Sequence, residues 1–89
     1  MQISYDNAKN KSNVQKHGVS LDEVKLLEWD LLISTHDARR DYGEVRTIGF
    51  TLIADRLYCV VFTVRGDSHH IISLRKANNR EKENYASNY

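Results

Sequence analysis

Eighty-nine residues, 40% apolar and 28% charged, suit a single small domain over residues 1–89 whose core must be economical. No stretch approaches the roughly 20 apolar residues of a membrane span, and Met1–Asp6 lacks the basic and apolar regions of a secretory signal. The net charge of +1 conceals an uneven spread, since beyond residue 55 Arg56, Arg65, Arg75, Lys76, Arg80 and Lys82 face only Asp67, Glu81 and Glu83. Such a chain can offer one basic end to a polyanion and its acidic middle to a second protein. Cys59 is the single cysteine, so no internal disulfide forms and a reduced, cytoplasmic setting is expected.

Ile3 and Tyr5 read as a short extended lead-in. Asp6 is placed to cap a helix over Asn7–His17 that Gly18 ends, with Ala8 and Val14 as its few apolar members. This helix is otherwise polar, so a narrow packed stripe must hold it, and His17 in its last turn suits the helix dipole. Ser20 and Glu23 have capping-box spacing and open a second helix to about Leu27 or Glu28, with Leu21, Val24 and Leu27 on one face. Trp29, Leu31, Leu32 and Ile33 form an apolar run expected to become a strand, Leu31–Ser34 lying at one side of the sheet. Thr35–Glu44 is polar and aperiodic, hence a loop open to a partner. His36 beside Asp37 lacks the repeated ligand spacing of a metal site, so no metal is expected.

Val45–Ile53 alternates as a strand, Asp55–Arg56 turns it, and Leu57–Val64 is apolar almost throughout, as a central strand covered on both faces requires. Arg65-Gly66-Asp67-Ser68 then forms a tight hairpin turn into Ile71, Ile72 and Leu74. Asn78 and Glu81 repeat the capping-box spacing and open a last helix that packs through Ala77 and Tyr85. The predicted fold is α+β: a small antiparallel sheet of three to four strands, two N-terminal helices and one C-terminal helix. It gathers Arg75, Lys76, Arg80 and Lys82 where the last strand meets the last helix. Arg46 stands in an apolar strand face, where a lone guanidinium is costly, and needs the rim, Glu44 or an anionic ligand.

Several short motifs follow one another along nearly the whole chain. They are Lys16-His17-Gly18-Val19-Ser20, Glu44-x-Arg46-x-Ile48-Gly49, Val61-x-Thr63-x-Arg65-Gly66, Ile71-Ile72-Ser73-x-Arg75-Lys76-Ala77, Arg80-Glu81 and Tyr85. In this order and spacing the chain resembles the BrnT family, the ribonuclease half of a type II toxin–antitoxin pair. The resemblance implies a RelE-like microbial ribonuclease fold and inhibition of translation by RNA cleavage. It also implies neutralisation by a cognate DNA-binding, BrnA-like antitoxin, in a heterotetramer with two toxin copies that reaches operator DNA only through the antitoxin. Tyr5 stands where the family often has tryptophan, and Ser73 and Leu74 replace residues in a stretch often rich in alanine. Matching the motifs carries over Arg65, Arg80 and Tyr85 as active-site members.

Metal-independent RNA cleavage needs an acceptor for the 2′-hydroxyl proton, a counter-charge for the phosphoryl oxygens and a donor to the leaving 5′-oxygen. The planar, always charged arginine fork suits the second task, and Arg65, Arg75 and Arg80 are the main candidates, with Arg46 joining across the sheet. Tyr85, Glu44, His17, His69 and His70 are the candidate acids and bases; His69 and His70 must point to opposite faces of their strand. Lys76, Lys82 and His70 are expected RNA contacts, while Glu81 is explained by its cap. No cofactor is implied. The alternative is a non-catalytic module whose basic corner docks nucleic acid or an acidic partner segment.

Overall fold

The computed structural model describes residues 1–39 and 41–88, so Arg40 of the expected loop lies outside it. In chain order the chain forms β1 (Gln2–Tyr5), α1 (Asn7–His17), 3-10 helices at Leu21–Leu26 and Trp29–Leu31, β2 (Ile33–His36), β3 (Thr47–Ile53), β4 (Arg56–Arg65), β5 (Ser68–Lys76) and α2 (Asn79–Ser87). The fold is α+β and of the RelE-like type. The five strands make one mixed sheet in the order β1-β5-β4-β3-β2. All neighbours are antiparallel except β1, which lies parallel to β5. The extended lead-in is therefore a fifth strand, and the sheet is larger than the three or four strands expected.

Asp6 caps α1 by accepting from the amides of Ala8 and Lys9, and Gly18 ends it with φ at 73°. The helix does not pack through the apolar residues expected of it, since Val14 is 45% exposed. Asn13 is buried instead. Its amide nitrogen donates to the carbonyls of Val19 and Leu74 at 2.9 and 2.8 Å, and its Oδ1 accepts from the Leu74 N–H at 3.1 Å. Beyond Ile71, β5 has no β1 residue beside it, and Asn13 satisfies the backbone there as a strand would.

The Ser20–Glu23 capping box is present, but the element it opens is a 3-10 helix ending at Leu26. Leu21, Val24 and Leu27 are buried as expected. The Trp29 run does not enter the sheet directly. Trp29 Nε1 donates to the Val24 carbonyl at 3.0 Å, Glu28 N–H donates to Leu52 O, and residues 29–31 turn once more before β2 starts at Ile33. Leu32 then lies flat on Gly49: a Cβ built at Gly49 would stand 2.5 Å from Leu32 Cδ1.

β4 is central and buried continuously from Leu57 to Thr63, while Val64, the last member of the expected apolar run, is 58% exposed. One face of the sheet carries Tyr58, Val60, Phe62, Ile71 and Leu74 against Leu21, Val24, Leu27 and Val19. Trp29 closes this core edge-on to Phe62 at 5.4 Å. The opposite face carries Cys59, Val61, Thr63 and Arg65, and it is covered only in part, by α2 and by the 37–46 loop.

Two turns and one irregularity set what that second face presents. Gly66 alone in its two-residue turn has positive φ, 59°, as a type II′ hairpin requires. The β3–β4 turn falls at Ala54-Asp55, one residue earlier than expected, with Ala54 at φ 53°. In β5 the register shifts by one residue at Ile72, so that Val61 faces Ser73 but Phe62 faces Ile71. This β-bulge restores Leu74 to the core face. It also returns Arg75 to the face that bears His70, although the two are an odd number of residues apart.

Candidate active site

The partly covered face presents two groups of charged side chains. The first lies at the β4–β5 hairpin. Arg65 ends β4 and donates through Nη2 and Nε to the two carboxylate oxygens of Glu44, at 3.0 and 3.3 Å. Glu44 comes from the 37–46 loop, which is tied to the sheet by Asp37 N–H to Arg46 O at 2.7 Å and by Thr63 Oγ1 to Val45 O at 2.7 Å. The hydrogen bond from Arg65 holds the Glu44 carboxyl below its ordinary range, against the opposing effect of burial, and the Arg46 and His70 charges act in the same direction. Arg65 is correspondingly raised by Glu44.

His70 stands on the same face, opposite Thr63 of β4 and Ser4 of β1. Its Nδ1 is 2.9 Å from Ser4 Oγ, which also accepts from Ser68 Oγ at 3.4 Å. Arg46 lies over the Tyr42 ring, its guanidinium carbon 3.8 Å from the centroid. The Arg46 Nε is buried with no hydrogen-bond partner among the described residues. Arg46 is half-buried and stacks on Tyr42, a neighbour the sequence did not announce, and among the described residues no ion pair joins it to Glu44.

The second group lies where β5 runs into α2. Arg75 donates through Nη1 and Nη2 to both oxygens of Glu81 at 2.8 Å each. Glu81 in turn accepts from the Asn78 N–H, and Asn78 Oδ1 accepts from the Glu81 N–H, completing the capping box. One carboxylate thus starts the helix and fixes the guanidinium. Arg75 lowers Glu81 below the usual carboxylate range, and Glu81 raises Arg75. Lys76 and Arg80 are exposed beside this pair, and Lys82 is half-buried. Cys59 faces Arg75 across the strands, and burial pushes its thiol up, which suits a filler rather than a nucleophile.

Tyr85 packs α2 on the sheet, as expected. Its hydroxyl donates to the Leu31 carbonyl at 2.8 Å, anchoring α2 over the sheet. It lines a cleft of about 190 Å³ with Glu81, Ile33, Ile48 and Phe50. His69 turns to the other face, its ring 5.4 Å from Trp29 and 5.3 Å from Phe62. His17 is exposed at the end of α1 and joins neither group. Among the described residues no cluster of three metal-capable side chains comes together, and no helix is long and apolar enough to cross a membrane.

The sequence reading missed Asp37, Arg39 and Ser4. Asp37 is buried at the start of the loop, directly after β2; Oδ1 accepts from the Arg39 N–H and Nε, and Oδ2 from Arg39 Nη2 and the Tyr42 hydroxyl. The Asp37-x-Arg39 spacing, in which an Asx turn reaches the amide two residues on, was the available signal.

These features define a small α+β domain whose open sheet face carries arginines braced by carboxylates, with a histidine among them. A family model described as "Ribonuclease toxin, BrnT, of type II toxin-antitoxin system" matches residues 5–81. The chain belongs to the BrnT family of ribonuclease toxins. No match to a curated protein was found.

Proposed function

We propose that the chain is a metal-independent endoribonuclease toxin that cleaves RNA at the hairpin group and thereby inhibits translation. The observation that carries this reading is the convergence of Glu44, Arg65 and His70 on one open face, where a carboxylate, a phosphate-binding fork and an imidazole meet. Arg65 offsets charge on the phosphoryl oxygens. The incoming phosphate competes with Glu44 for the Arg65 fork; once released, Glu44 loses the hydrogen bond that depresses its proton affinity and accepts the 2′-hydroxyl proton. His70, held through Nδ1 by Ser4, protonates the leaving 5′-oxygen. Arg46 supports the phosphate. Arg75, Arg80, Lys76 and Lys82 hold the RNA backbone further along, and Tyr85 lies at the margin of that track.

In this reading the toxin is neutralised by a BrnA-like antitoxin in a heterotetramer with two toxin copies. That complex represses its own operon through the antitoxin's DNA-binding part. The test is cleavage of bulk RNA in EDTA by the parent, His70→Ala and Tyr85→Phe, with circular dichroism to confirm folding. Cleavage kept by Tyr85→Phe and lost by His70→Ala supports the hairpin site. The opposite pattern moves the chemistry to α2, and a folded parent that binds RNA without cutting it supports the binding-module alternative.

A further inference from the structure

A helix that packs on a sheet ordinarily turns an apolar stripe towards it. In α2 the sheet-facing stripe is polar. Glu81, Asn84, Tyr85 and Asn88 have the i, i+3, i+4, i+7 spacing of one helical face, and they look onto Ile33 of β2 and Ile48 and Phe50 of β3. No residue of α2 is buried. The helix is pinned at two points instead, by the Tyr85 hydroxyl on the Leu31 carbonyl and by Glu81 on Arg75. Between helix and strands lies the cleft of about 190 Å³.

The two walls of this cleft differ in kind. Ile33, Ile48 and Phe50 are apolar and only half-buried, whereas the helix offers side-chain amides. Asn88 Nδ2 is spent on the Asn84 carbonyl, but the Asn84 side chain has no hydrogen-bond partner among the described residues. A nucleobase has the same division, with apolar faces and a hydrogen-bonding edge. A cleft below about 300 Å³, the lower end for drug-sized ligands, admits one such ring rather than a longer segment. An apolar side chain from a protein would leave the Asn84 amide unanswered. Charge agrees with the shape. Strand pairing sets Ile33, Phe50, Cys59 and Arg75 opposite one another in a single row of the open face. Neighbouring strands stand about 4.8 Å apart, which puts the backbone of Phe50 roughly 10 Å from that of Arg75. Arg75, with Lys76 and Arg80 exposed beside it, supplies the positive charge that a phosphate attached to such a base requires.

We propose that the cleft between α2 and the β2–β3 strands holds one nucleobase of the RNA strand, with its faces against Phe50 and Tyr85, its edge towards Asn84 and its phosphate near Arg75. This rests on reading the chain as acting on RNA and deepens it. Cys59, the partner of Phe50, and Arg65 are six residues apart on β4, about 20 Å at roughly 3.3 Å per residue. The cleft therefore reads a base at a distance from the cut beside Arg65, and it sets the register of the strand.

The experiment measures binding of a mixed-sequence 2′-O-methyl oligoribonucleotide, which the 2′-hydroxyl route cannot cut, and of the same oligomer made with abasic sugars. The proteins are the parent, Phe50→Leu and Asn84→Ala, with circular dichroism to confirm that each is folded. Phe50→Leu removes the aromatic face but keeps an apolar wall, and is expected to weaken binding of the base-bearing oligomer about 5-fold or more. Asn84→Ala is expected to weaken it by about 2–10-fold, the share of one hydrogen bond. Binding of the abasic oligomer should stay at the parental level in both variants. A loss shared equally by the two oligomers overturns the proposal. So does unchanged binding of the base-bearing oligomer by Phe50→Leu, which would leave the cleft to an apolar side chain of a protein partner. A parent that binds neither oligomer overturns this proposal and the RNA reading together, whereas one that binds but leaves unmodified RNA intact defeats the ribonuclease reading alone.

Discussion

Ala54 occupies a backbone region that L-residues other than glycine rarely adopt. The left-handed conformation costs about 1–2 kcal/mol, partly offset because alanine loses less backbone freedom than glycine on folding. Ala54→Gly is expected to raise stability by about 0.5–1 kcal/mol in urea unfolding. Asp37 gives a pH signature. The hydrogen bond from Arg39, opposed by burial, holds its carboxyl well below the ordinary range, so the folded chain binds this proton more weakly than the unfolded one. Its contribution is present above the normal carboxylate titration near pH 4 and is lost as pH falls towards the folded value. Asp37→Asn should therefore unfold at lower urea than the parent at pH 7, with the gap closing below about pH 4. A gap that stays constant down to pH 2.5 would assign the effect to something other than ionisation. For the chemistry, Glu44→Gln and His70→Ala should each slow cleavage by about 10²–10⁴-fold, and Arg65→Ala by about 10²–10³-fold. Addition of EDTA should leave the parental rate unchanged.

At the scale of elements, the caps, turns and central strand were legible because each has a local cause. Asp6, Ser20 and Asn78 announce helix starts, and Gly66 marks the hairpin. The burial of Asn13 was not legible, because an asparagine in a polar helix reads as solvated until its partner strand is known. Asn13→Ala strands the Leu74 N–H and two carbonyls, and is expected to cost on the order of 2–4 kcal/mol in unfolding free energy. The helix should fray in amide exchange if that backbone is truly held by Asn13. The bulge at Ile72 was hidden for a related reason. Strict alternation assigns His70 and Arg75 to opposite faces, and only the pairing with β4 reveals the extra residue that reunites them. Nor did propensity separate the apolar run at Trp29 from a strand, since the 3-10 turn there depends on contacts with Val24 and Leu52.

For the whole molecule, the basic character of the C-terminal third was visible in composition, but its division was not. Arg65 and Arg75 sit towards opposite ends of the β4–β5 pair, each matched to a carboxylate supplied by a different segment. Charge counting sees one patch where the sheet builds two. Sheet order also joins the beginning of the chain to its end. β1 is made first, yet its partner is β5, and Ser4 meets a histidine 66 positions later. A contact that distant closes late, after the intervening hairpins have formed. During synthesis, which proceeds from the N-terminus, β1 must wait without a partner while β2, β3 and β4 emerge. The proposed site shares that timing in part, because Glu44 and Arg65 are made by the end of β4 and His70 only with β5. On the proposed reading, a nascent chain that has made β4 but not β5 lacks His70, the proposed acid, and so cannot yet cut RNA.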